Sequence, residues 1–107
     1  MAKYLLKLYI AGHSTRSERA IVNIKRVCEM HLYNNYQLII VDVLERPHLA
    51  AEERIMATPT LIRELPKPVR KVVGDLSDTE RVLSGLELPA HREAGEEEAG
   101  PGAEPGG

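Results

Sequence analysis

An α/β fold with the element order βαβαββα is what this chain of 107 residues predicts, and three observations predict it. Two apolar runs, residues 4–10 and 38–43, have the length and aliphatic content of strands. Between them lies a segment of helical periodicity, and strand, helix and strand at that spacing make a right-handed parallel βαβ unit. After residue 58 the apolar runs shorten and are punctuated by proline, which fits an antiparallel hairpin closed by a last helix.

The first strand, Tyr4 to Ile10, ends at Ala11-Gly12, where glycine is free to take a positive φ. Thr15-Arg16-Ser17-Glu18 has the spacing of a capping box, with Thr15 as cap and Glu18 reaching back, and opens the first helix. Ala20, Ile21, Ile24, Val27, Cys28 and Leu32 recur every three or four residues and form its inner face, leaving Arg19, Lys25, Arg26 and Glu29 outside. Asn34-Asn35 breaks that pattern, and Leu38-Ile39-Ile40-Val41 continued by Asp42-Val43 predicts a strand buried on both faces. Pro47 fits the first turn of a shorter helix running through Ile55. Strand candidates 60–65 and 69–74 flank Pro66-Lys67-Pro68, whose fixed φ angles suit a turn. Ser77-Asp78-Thr79-Glu80 is a second capping box, opening a helix with Val82, Leu83 and Leu86 inside.

With 43% hydrophobic and 28% charged residues, the chain supports one modest core, assigned to residues 1–88. Aromatic residues are scarce: four Tyr, with neither Phe nor Trp, so the core is aliphatic and nothing offers a stacking platform for nucleic acid. Cys28 is the single cysteine, which excludes an internal disulfide and a multi-cysteine zinc site. His13, His31, His48 and His91 have no metal-ligand spacing, and no metal or cofactor is expected. The first apolar run is broken by Lys7 and lacks a cleavage site, and no run approaches membrane-spanning length, so a cytoplasmic protein is expected. Residues 89–107 hold five glutamates against the single Arg92, whereas residues 1–88 hold 13 Lys and Arg against 11 Asp and Glu. That Gly/Pro/Glu-rich tail has little to bury and is expected to be disordered and solubilising.

The element order is that of the thioredoxin fold, whose chemistry sits in the loop between the first strand and first helix, where a helix N-terminus favours a thiolate. Here the loop reads Gly12-His13-Ser14-Thr15, without a thiol. Cys28 falls on the buried helix face, where a cysteine is packing; a thiol- or glutathione-dependent enzyme using it is the competing reading. Thr58-Pro59 occupies the place of that fold's cis-proline, which exposes backbone groups to an extended partner, against the plainer reading of a turn before a strand. The basic residues are scattered as on a solvated surface, and no phosphate-binding loop, dinucleotide fingerprint or nucleophile elbow is present.

Leu6-Lys7-Leu8-Tyr9, Ala11-Gly12, Val41-Asp42-Val43, Ala57-Thr58-Pro59-Thr60-Leu61 and the run from Pro68 through Val69-Arg70-Lys71-Val72-Val73-Gly74-Asp75-Leu76 to Ser77 together resemble the KaiB family of circadian clock proteins. The likeness covers residues 4–88. It implies a non-enzymatic regulator that binds the N-terminal ATPase ring of KaiC, a RecA-like hexamer whose phosphorylation state gates association. It further implies capture of KaiA and displacement of the thioredoxin-like sensor domain of the kinase SasA where these exist. Two folds are implied as well: a ground state forming tetramers or dimers, and a thioredoxin-like monomer competent for KaiC, two packings separated by a few kcal/mol.

On this resemblance Lys7, Arg19, Arg54, Arg63 and Arg70 are the expected docking residues, and Thr58, Pro59, Pro66, Pro68, Gly85 and Glu87 the expected hinge. The half up to Val43 is strongly patterned, and the half after Thr58 is short and proline-punctuated, so only the second half would refold. Two departures stand out: Pro66-Lys67-Pro68 where many relatives have three prolines, and Gly85-Leu86-Glu87 where the cyanobacterial segment has Gly-x-Asp. The alternatives are a stress-response adaptor acting with KaiC alone and a detached sensory domain of a histidine kinase.

Overall fold

Alternation along the first strand decides the layering, because Leu6, Leu8 and Ile10 point to one face and are buried there. A computed structural model describes residues 3–89. Its elements are β1 (Tyr4–Ile10), α1 (Thr15–His31), β2 (Tyr36–Asp42), α2 (Pro47–Glu52), β3 (Thr60–Leu65), β4 (Arg70–Val73) and α3 (Thr79–Gly85). The sheet order is β2-β1-β3-β4. β1 and β2 are parallel, from Tyr4↔Tyr36 to Ile10↔Asp42; β3 is antiparallel to β1, and β4 to β3 in the expected hairpin.

The larger core lies between the sheet and the helices α1 and α3, where Leu6, Leu8 and Leu61 meet Ile24, Val27, Val82 and Leu86. On the other face a smaller cluster of Tyr9, Val41 and Ile62 is covered by Leu49 and Ile55, from α2 and the residues after it. Among the described residues no helix is long and apolar enough to cross a membrane, and no group of three or more His, Cys, Asp or Glu is placed to hold a metal ion. The acidic-tail assignment, beyond Pro89, falls outside the described residues, as does His91.

Four local expectations are corrected. The cap of α1 is Ser14 rather than Thr15: Ser14 has extended backbone, and its Oγ accepts from Ser17 N at 3.1 Å. Glu18 pairs with the His13 ring at 2.9 Å instead of reaching back to the cap. The cap of α3 is Asp78, which accepts from Arg81 N at 3.2 Å, while Ser77 N donates to Asp75. In both segments neighbouring short polar side chains compete for the same orphan amides, and the one with extended backbone next to the first turn wins. β2 was expected to be buried on both faces, but it is an edge strand with Val41 buried and Ile40 38% exposed. The second helix stops at Glu52, because Arg54 turns to φ 56° and Ile55 N closes back on the Ala50 carbonyl at 2.9 Å.

Candidate functional site

The C-terminal ends of the parallel strands β1 and β2 meet the start of β3 at one end of the sheet, and three loops converge there. Asp42 ties two of them: its Oδ1 accepts from Gly12 N at 3.0 Å and from Leu44 N at 2.9 Å, the second bond forming an Asx turn. Gly12 takes φ 67°, a conformation that a side chain would strain. The Tyr9↔Thr60 register places Pro59 beside this loop, and the Thr58-Pro59 bond is cis, as the sequence predicts. Pro59 is fully buried, and its carbonyl accepts from Gly74 N at 2.9 Å, fixing the end of β4 against the proline. Thr60 Oγ1 donates to the Ala57 carbonyl at 2.6 Å and closes the turn that leads in.

Around this frame the two most exposed large apolar side chains of the described residues project outward, Met56 at 94% and Leu44 at 70%, with Val73 on the β4 edge at 44%. Arg54 is exposed beside Met56. Exposed apolar side chains, with the Arg54 cation next to Met56, thus surround this backbone frame. Thiol chemistry is a different matter. The loop from Gly12 to Thr15 holds no sulfur, and Cys28 is buried, with burial and then Glu29 pushing its thiol up to about 12. His13 is exposed and held above the usual histidine range by the hydrogen bond and charge of Glu18, with Asp42 and Glu45 adding to it.

The residues expected to dock do not form one patch. Lys7 lies on the face that carries α2, half-buried 3.9 Å from Glu64; Arg19 is exposed on α1, Arg54 follows α2, and Arg70 is on β4. Arg63 is 4% exposed. Its Nη2 donates to the Pro68 carbonyl at 2.7 Å and its Nη1 to the Glu87 carbonyl at 3.3 Å, while its Nε has no protein partner. In this fold Arg63 is a buried anchor, and the charge that made it a surface candidate is spent on backbone oxygens.

Five of the expected hinge residues stand at opposite ends of β3, Thr58 and Pro59 at its entrance and Pro66, Pro68 and Glu87 at its exit, while Gly85 packs on β4 between them. Thr58 and Pro59 belong to the loop cluster above. At the other end the Leu65-Pro66 and Lys67-Pro68 bonds are also cis, and Arg63, Pro68, Arg70 and Glu87 come together. There Arg70 Nη2 lies 3.0 Å from Glu87 Oε2, and Glu87 turns the chain with φ 54° just after α3. Gly85 is the last residue of α3, where a Cβ would stand 2.6 Å from Val72 Cγ2, so its absence admits the close approach to β4. Sequence reasoning missed Asp42 as a link between loops and Met56 as an exposed apolar side chain. An aspartate ending an apolar run was a signal for the first, and for the second there was none.

This frame is a thioredoxin-like fold in which the loop from Gly12 to Thr15 carries no thiol. The yeast mitochondrial thioredoxin 3 structure superposes with a TM-score of 0.65 at 17% identity, over 81% of this chain and 79% of that one. The N-terminal domain of SasA from Synechococcus elongatus superposes with a TM-score of 0.66 at 21% identity, over 81% and 86% of the two chains. Sequence places the chain more narrowly. The KaiB domain matches residues 7–88. The circadian clock protein KaiB3 of Synechocystis sp. is 51% identical over 88 residues, 82% of this chain and 86% of that protein. The circadian clock oscillator protein KaiB of Nostoc sp. is 53% identical over 85 residues, 79% of each chain. The chain belongs to the KaiB family.

Proposed function

We propose that the protein is a non-enzymatic regulator of circadian-clock type, which docks on the N-terminal ATPase ring of a KaiC-like hexamer and modulates its phosphorylation cycle. The observation that carries this reading is 51–53% identity to KaiB3 and KaiB over about four fifths of the chain. Met56, Leu44 and Val73 supply apolar contact around the cis-proline, and the cations Lys7, Arg19, Arg54 and Arg70 steer an acidic partner surface. Arg63 acts from inside, by holding the turn that precedes Arg70.

A change of fold in the second half is part of the proposal. α1 has 17 residues, whereas α2, β4 and α3 have six, four and seven, so the second half is joined from short elements. The alternative packing forms a tetramer or dimer, and where KaiA or a SasA-like kinase is present the bound form captures the first and displaces the second.

Size-exclusion chromatography of the protein alone, and with a KaiC homologue and ATP over hours, tests the reading. A slow transfer from an oligomer into a KaiC-sized complex is expected; absence of a complex at micromolar concentrations after a day overturns it. Reversal of Arg19 and Arg54 together is expected to weaken binding about tenfold, or about 1.4 kcal/mol. The likeness to the SasA domain favours a second reading, a detached sensory domain of a histidine kinase, which would stay monomeric. A stress-response adaptor acting with KaiC alone would bind the hexamer equally and is separated by the absence of any rhythm in its phosphorylation.

A further inference from the structure

Met56 stands three residues before Pro59 and is 94% exposed, against 54% for Met30 on α1. Its surroundings form a shallow groove, with Ile55, Ala57 and Val73 as apolar lining and the cations Arg54 and Lys71 at the rim. Lys71 Nζ donates to the Glu53 carbonyl at 2.9 Å and so pins the segment that carries Met56 to β4. The thioether is thus held in solvent on an ordered turn, within the surface that the proposed function assigns to docking. Thioether sulfur is the apolar side-chain group that peroxide attacks most readily, and the product is polar.

We infer that Met56 is an oxidation-sensitive contact, so that hydrogen peroxide weakens docking at the cis-proline surface; this rests on the reading of that surface as the partner site. In the step a sulfur lone pair attacks one peroxide oxygen, an S–O bond forms and the O–O bond breaks. The departing hydroxide takes the second proton and leaves as water; sulfur is oxidised by two electrons and peroxide reduced by two. The sulfoxide then brings a strongly hydrated acceptor into a contact whose apolar lining is Ile55, Ala57 and Val73, and stripping its water on docking is unfavourable.

The test oxidises the full chain alone with hydrogen peroxide, removes the oxidant, and maps the sites by peptide mass spectrometry. Binding to a KaiC-family hexamer with ATP is then measured. Met56 is expected to oxidise before Met30, with a Kd raised about tenfold, about 1.4 kcal/mol, and recovered by methionine sulfoxide reductase. In Met56→Leu the ratio of Kd values before and after peroxide stays near one, whatever the starting affinity. In Met30→Leu the loss persists. Faster oxidation of Met30, an unchanged Kd with Met56 fully oxidised, or an equal loss in Met56→Leu each overturns the inference while the docking assignment stands. Failure of the reduced protein to bind overturns the proposed function, and this inference with it.

Discussion

Replacing Arg63 by alanine is expected to remove about 3 kcal/mol of folding stability, whereas replacing Arg70 by alanine removes less than about 1 kcal/mol. Arg63 is 4% exposed and donates to two backbone carbonyls, at 2.7 and 3.3 Å. A hydrogen bond from a charged donor contributes about 1.5–3 kcal/mol, and the longer bond counts at the low end. Relief of the buried charge, whose Nε already lacks a partner, offsets part of that loss, while the vacated volume and the abandoned carbonyls of Pro68 and Glu87 add to it. The Arg70–Glu87 pair is half exposed on both sides and is screened by water. For an ordered body of this size, about 3 kcal/mol is a fall in Tm of roughly 12–24 °C. Urea unfolding of both variants at one protein concentration, followed by far-UV circular dichroism, makes the comparison. Arg63→Lys, which keeps one charged donor, should fall between wild type and Arg63→Ala. A loss below about 1 kcal/mol for Arg63→Ala, or an equal loss for Arg70→Ala, would refute Arg63 as an internal anchor.

Capping is separable by two alanine variants: Ser14→Ala should cost about 1 kcal/mol in the same unfolding assay and Thr15→Ala only a few tenths, because Ser14 holds the Ser17 amide. Cys28, with its thiol pushed up to about 12, should not react with an aromatic disulfide at pH 8 in the native protein and should react within seconds in denaturant. His13 should titrate by NMR above its ordinary value of 6.5, and Glu18→Gln should lower the midpoint. Because its folded value is raised, the His13–Glu18 contribution is fully present below the unfolded value and is lost as pH rises through the folded one.

The element order was legible because proline and apolar periodicity mark its boundaries strongly. Tyr4 to Ile10, the inner face of α1 and the β3–β4 hairpin all stand where their patterns place them. Failures were local or topological. Ser14 and Thr15 carry the same hydroxyl one position apart, and a spacing rule cannot tell which adopts extended backbone. The run Leu38 to Val41 has the composition of a central strand, but composition records apolar area and not neighbours, and β2 lies at the sheet edge.

At the candidate site the same distinction decides what could be read. Thr58-Pro59 was legible because proline alone makes a cis bond cheap, and the flanking elements fixed its place. Met56 and Leu44 were not, since an apolar letter is assigned inside by default and only the assembled loops leave these two out. Arg63 fails in the opposite sense: a charged letter is assigned outside, yet β3 runs between β1 and β4, and its arginine meets carbonyls from two other segments. One strand therefore carries Pro59 at its entrance and the Arg63 anchor toward its exit. Gly74 N bonds the Pro59 carbonyl across the hairpin, and Arg63 holds the turn at the hairpin's far end, so loss of the anchor is expected to loosen the segment that presents Val73 to the groove proposed for docking. On the proposed docking surface a cation would then act on binding without touching the partner, and Arg63→Ala should weaken docking in proportion to the population of the loosened hairpin.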